Sequence, residues 1–415
     1  MAETKANKAT AGLRGASWDP ADLPSDASFT PVNLPTHDGA SCTGILARRG
    51  GEKVALLGMH PREFLATHYV VPEILNIGAA VMMQAPRSTG NDLRLEHESA
   101  LLDVAAGVKF LRDEGYEKVI LMGNSGGASL FAFYIQQASK APTDRLTRSP
   151  GGRPVPLAEA EMPSVDGLIM TAPHPGQGVL LMNCIDPSVT DEDDAMSRDP
   201  SLFPFAEENG FKMPRDSASY APRFVERYRE AQKARVQRLD DWAKSVIAGR
   251  MGARKAFKET SDMEQLIASG HTPIKTVWRT DADLRCFDLS LDPSSRKYGS
   301  LWGPNPLVSN FGSVGFGRLV TAESWLSTWS GLSSNASMAK TLPDVTVPTL
   351  MLTYDGDNSL FPADADEIFS QIAADDKQRA SAPGNHHGIP IEKDAPNGRE
   401  IMGQHMHKWL TERFI

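Results

Sequence analysis

The residues of this chain best suited to chemistry lie in the run Gly123-Asn124-Ser125-Gly126-Gly127. The run matches G-x-S-x-G, with an apolar stretch, Val119 to Met122, before it and a helical pattern, Gly126 to Tyr134, after it. A serine on such a strand-to-helix turn stands clear of the sheet as a nucleophile, and the strained backbone needs neighbours without side chains, here Gly123 and Gly127. The helix points its first amides at the same spot, so the N–H of Gly126 can donate to an oxyanion. A glycine-rich turn could instead pack tightly or hold a phosphate. Such turns usually show G-x-G-x-x-G or the Walker pattern, and this one shows neither.

Two later segments carry further candidates. The strand-like run Val347 to Tyr354 opens into Asp355-Gly356-Asp357, and the turn Pro383-Gly384-Asn385-His386-His387-Gly388 precedes the last helical pattern. Either aspartate could be an Asx-turn residue satisfying the Asp-Gly backbone. The two histidines could pair on a metal, but loop neighbours point apart and no Cys, Asp or His at ligand spacing completes a site, so no metal is expected.

With the elbow and these two segments in the order Ser, Asp, His, the chain resembles the α/β-hydrolase family, over roughly residues 30–180 and 340–415. The resemblance implies an α/β fold, a mostly parallel central sheet with helices on both faces, plus a mainly helical cap insertion. The expected division is an N-terminal tail at 1–27, a hydrolase core at 28–180 and 341–415, and a cap or lid at 181–340. Ser125 becomes the nucleophile. The acid belongs in the turn after the Val347 to Tyr354 strand, with Asp357 favoured on spacing and Asp355 the alternate. The base belongs in the later turn, where the family's G-x-x-H frame falls on His387, with His386 the alternate. The second oxyanion N–H is expected after the strand Lys53 to Leu57. In Gly58-Met59-His60-Pro61, Met59 or His60 would supply it, since Pro61 has no N–H, and His60 could equally be a structural loop residue. The activity implied is cleavage of a carboxylic ester through an acyl-enzyme, without a cofactor, and the composition of the cap points to an ester of small to medium size with apolar or aromatic character. Two other readings remain: the same triad breaking a C–C bond of a ring-fission-type diketone, and a non-catalytic binding protein on the same scaffold.

Positioning those side chains takes a regular alternation of elements. A hairpin is expected over residues 28–49, turning at His37-Asp38-Gly39, and a helix from Glu96 to Glu114 with Leu101, Val104, Val108 and Leu111 on one face. The rhythm stops after the strand Val165 to Thr171. A long helix is expected from Ala221 to Ile247, its arginines on a solvated face, and Asp191 to Asp194 read as a surface loop. The end of the insertion is rich in aromatics, and Trp302, Trp325 and Trp329 are expected to line an apolar pocket above the nucleophile.

With 415 residues, 40% of them hydrophobic and 23% charged, there is ample chain for a deep core. A net charge of −9 argues against nucleic acid as a partner. No apolar run of membrane-spanning length appears, the first 27 residues lack a secretory signal's apolar region, and Cys42, Cys184 and Cys286 are too scattered for a disulfide framework. The expectation is a cytoplasmic protein that takes a small-molecule substrate, with a homodimer left open.

Overall fold

The computed structural model describes residues 16–214 and 216–415. Part of the expected tail, residues 1–15, lies outside the described residues. The rest of it, 16–27, is no tail. The Trp18 N–H donates to the Thr67 carbonyl, the Tyr69 N–H donates to the Ala16 carbonyl, and Pro20–Asp22 forms a 3-10 turn.

The hairpin forms as β1 (Ser28–Pro35) and β2 (Ser41–Arg48), with Gly39 at the turn holding φ 81°. There follow β3 (Val54–Met59), α1 (Val70–Ile77), β4 (Ala80–Gln84), α2 (His97–Asp113), β5 (Lys118–Asn124), α3 (Gly126–Ser139), β6 (Gly167–Thr171) and α4 (Gln177–Cys184). The insertion carries α5 (Pro222–Thr260), α6 (Met263–Gly270), β7 (Lys275–Thr276), α7 (Pro306–Ser309), β8 (Leu319–Val320), α8 (Ala322–Ser324), a π-helical turn at Trp325–Trp329, and α9 (Met338–Thr341). The chain closes with β9 (Thr349–Tyr354), α10 (Pro362–Gln371), β10 (Lys377–Ala382) and α11 (Gly398–Arg413).

Eight strands form one sheet in the order β1-β2-β4-β3-β5-β6-β9-β10; β2 pairs antiparallel with β1 and β4, and every pair from β4 to β10 is parallel. A parallel strand must be apolar on both faces because helices cover both. β5 shows this directly. Val119 and Leu121 face a core packed by α2 and α3, while Ile120 and Met122 face a second core packed by α1 and α11. This strand order, with the serine turn at the end of β5, is the α/β-hydrolase fold.

The insertion packs in two clusters that each take a residue from the hydrolase core, Leu95 in one and Phe361 in the other. One holds Val236, Leu239, Trp325 and Trp329; the other holds Phe203, Phe205, Phe287 and Phe361. Helix α5 runs 13 residues past the expected end at Ile247, to Thr260. The apolar face stops there, but no proline or left-handed residue interrupts the backbone until Ser261 at φ 57°. Arg223, Arg227 and Arg238 lie on the expected solvated face, but two other arginines turn inward. Arg235 is fully buried and its guanidinium grips both oxygens of Glu192 at 2.8 and 2.7 Å, while Arg229 pairs with Asp283 at 2.7 Å. The acidic loop therefore sends Glu192 inward as a structural partner, and its neighbours stay outside. No helix among the described residues is long and apolar enough to cross a membrane.

Candidate active site

Among the described residues Ser125 is the first non-glycine residue with positive φ, at φ 52° and ψ −121°, between the end of β5 and the start of α3. Its N–H donates to the Thr171 carbonyl at the end of β6, 2.9 Å away. A Cβ on Gly123 would stand 2.5 Å from the Ala128 backbone nitrogen, and one on Gly127 would run into the Met59 carbonyl oxygen. Both glycines are thus required by close approach, as the motif predicts. Ala172, at the end of β6, is also left-handed at φ 43°, so two neighbouring strand ends hold strained backbone.

Asp357 follows β9 and is almost wholly buried. Its Oδ1 accepts from the N–H groups of Ser359 (2.7 Å) and Leu360 (3.2 Å), which fixes the carboxylate and leaves Oδ2 for a partner. That partner is Nδ1 of His386, at 2.7 Å. Asp355 is exposed and turned elsewhere, its Oδ1 accepting from the Gly384 N–H at 3.2 Å.

The histidine in this contact is therefore His386, and the expectation of His387 is corrected by geometry. The turn is wound by Gly384 at φ 128° and Gly388 at φ 70°, and Asn385 Oδ1 accepts from the N–H groups of His387 and Ile389 at 3.0 and 3.1 Å. That winding sends the first imidazole to Asp357. His387 lies at 5.1 Å between ring centroids, its Nδ1 buried without a partner, and burial beside His386 pushes its pKa down to about 2.

Ser125 and His386 line one cavity of about 100 Å³, together with His60, Asn124, His174 and Gln177 from the sheet side. Leu301, Trp302 and Phe316 come down on it from the insertion. Of the three tryptophans expected there, only Trp302 lines it, stacked edge-on against Phe316 with centroids 5.4 Å apart. Trp325 and Trp329 instead fill the insertion's own core, and Trp325 Nε1 donates to Asp240 at 2.7 Å. Phe316, from the same aromatic-rich end of the insertion, lines the cavity beside Trp302. Here the Thr280 hydroxyl holds the Phe316 carbonyl at 2.9 Å.

The roof is tied to the acid turn. Asn358, next to Asp357, donates from Nδ2 to the Gly299 carbonyl at 3.1 Å, and the Cys286 thiol donates to the Asn358 carbonyl at 3.4 Å. Among the histidines of the cavity, burial pushes His174 down to about 3 and His60 well below its ordinary value, so both are neutral near pH 7. Of the expected oxyanion donors, Gly126 opens α3 beside Ser125, and His60 lines the cavity whereas Met59 does not. Among the described residues no group of His, Cys, Asp and Glu is placed to hold a metal ion.

No protein-family model matches the chain, and no curated protein matches it. Solved structures resemble it at low identity. The Pyrococcus furiosus esterase Pf2001 is 12% identical with a TM-score of 0.46, over 96% of this chain and 95% of that one. DcsB, solved with its substrate analogue, is 14% identical with a TM-score of 0.47, over 93% and 99%. The siderophore hydrolase EstB from Aspergillus fumigatus is 12% identical with a TM-score of 0.48, over 93% and 98%.

Proposed function

We propose that this protein is a serine hydrolase that cleaves carboxylic esters through an acyl-enzyme. Ser125 Oγ attacks the carbonyl carbon while His386 Nε2 takes its proton; the ester C–O bond breaks and the same proton passes to the leaving alkoxide. Water, deprotonated by His386, then releases the acid and restores Ser125. Asp357 holds Nδ1–H and so keeps the base nitrogen facing the serine. The amide of Gly126 stabilises the oxyanion, an interaction worth about 3 kcal/mol per donor.

The observation that supports this reading is the Asp357–His386 hydrogen bond of 2.7 Å, made by a histidine that shares a cavity wall with Ser125. The cavity also bears on the substrate. Its volume of about 100 Å³ is well under the roughly 300–1,000 Å³ of pockets that take drug-sized ligands, which favours a short acyl group against Trp302 and Phe316. The chemistry calls for no metal or cofactor. Three free, buried thiols suit a reducing compartment such as the cytoplasm.

A fluorophosphonate probe followed by peptide mapping tests the reading. Labelling on Ser125, with hydrolysis of p-nitrophenyl acetate that disappears in Ser125→Ala, is the expected result. An unlabelled wild-type protein overturns it and leaves the binding-protein reading.

A further inference from the structure

A neutral imidazole carries one ring proton, and in His60 the surroundings decide which nitrogen holds it. Nδ1 accepts from the N–H groups of Arg62 at 3.2 Å and Glu63 at 3.0 Å. A nitrogen that accepts from two amides has no proton of its own, so the proton sits on Nε2. Burial first, then His174 and Arg62, hold the ring neutral. The loop thus locks a donor in place.

That donor lies beside the residue that follows Ser125. His60 Nε2 lies 3.0 Å from where a Cβ on Gly126 would stand, and Gly126 is the residue whose amide adjoins Ser125. The ring also lines the cavity. Met59, the other expected donor, presents its carbonyl oxygen to Gly127, and an acceptor there offers nothing to a negative oxygen. Gln177 Nε2 approaches the same point at 2.6 Å, but its Oε1 is buried without a partner, so its amide is not held in one orientation as the His60 ring is.

We propose that the His60 side chain is a catalytic residue of this site, its Nε2–H serving with the Gly126 amide as an oxyanion donor. The assignment rests on the serine-hydrolase reading above. It adds a side-chain donor to the main-chain N–H expected from that loop, and it explains why a glycine at 126 is needed: a methyl there would push against His60 and Gln177 together.

Two substitutions separate catalysis from loop support, because asparagine reproduces the Nδ1 side of histidine and glutamine reproduces the Nε2 side. His60→Asn keeps an acceptor for the Arg62 and Glu63 amides and loses the reach into the cavity. Its kcat on p-nitrophenyl acetate is expected to fall about 100-fold or more, with KM within about threefold and Tm little changed. His60→Gln keeps the reach and loses the acceptor. It is expected to retain kcat within about tenfold while its Tm falls. If His60→Gln is no faster than His60→Asn, the ring only supports the loop and the assignment falls. If the wild-type protein is labelled at Ser125 by the fluorophosphonate, that failure leaves the nucleophile standing; if it is not labelled, both fall.

Discussion

Ser125 holds a backbone conformation that costs an ordinary residue about 1–3 kcal/mol. Glycine adopts it freely, at a cost of about 0.4–1 kcal/mol in the unfolded chain. Ser125→Gly is therefore expected to be more stable than Ser125→Ala by about 1 kcal/mol in urea titration, both being inactive. The histidine pair gives a sharper contrast. On the geometry, His386→Ala removes turnover by at least about a thousandfold, whereas His387→Ala keeps activity within about tenfold, checked by kcat on p-nitrophenyl acetate. The serine was legible because two glycines and an apolar strand enclose it. Between neighbouring histidines the pattern cannot choose: a one-residue offset in a loop is set by the φ of Gly384 and Gly388 and by the Asn385 side chain, and none of these has a periodicity. Asp357 could be preferred over Asp355 on spacing, but what seats it is a local Asx turn onto Ser359 and Leu360.

Among elements, the sheet was the most legible part, since strands buried on both faces must be apolar in their middles, as Val119–Met122 of β5 and Leu350–Leu352 of β9 are, and β3 is along its whole length. The insertion was less so because its order comes from distant polar pairs. Arg235 meets Glu192 from 43 positions away, and no local pattern announces that a charged residue on a helix will be buried. Glu192→Ala leaves that guanidinium without its carboxylate, at an expected cost of about 3 kcal/mol, measured by denaturant unfolding. Arg235→Met, which removes the charge as well as the pair, is expected to cost less. A larger loss for Arg235→Met would show that the hydrogen bond from Arg235 to the Asp186 carbonyl, 2.6 Å long, matters more than the ion pair.

For the whole molecule, the seam between insertion and core carries a pH signature. Glu98, at the start of α2, is buried against Ser327 and Asn335, and burial raises its pKa from 4.5 to about 7. Below pH 4.5 the carboxyl is protonated in both states and contributes no slope. Between about 4.5 and 7 the unfolded chain releases a proton the folded protein keeps, so stability falls as pH rises, by about 1.4 kcal/mol per unit and about 3 kcal/mol in all. Above 7 the penalty is complete. Glu98→Gln is expected to flatten this slope and to be the more stable protein at pH 8, which unfolding curves at pH 5 and 8 would check. The small cavity makes a second statement at this scale: Phe316→Ala is expected to shift preference from acetyl toward longer acyl esters, seen in kcat/KM across p-nitrophenyl chain lengths.

The bond from Asn358 to the Gly299 carbonyl joins the insertion to the residue beside Asp357. Any swing of the roof wide enough to free a bulky molecule must pull on the strap that steadies the acid. On the proposed chemistry, the carboxylate is steadied best while the roof stays seated, and lifting the roof slackens the same turn.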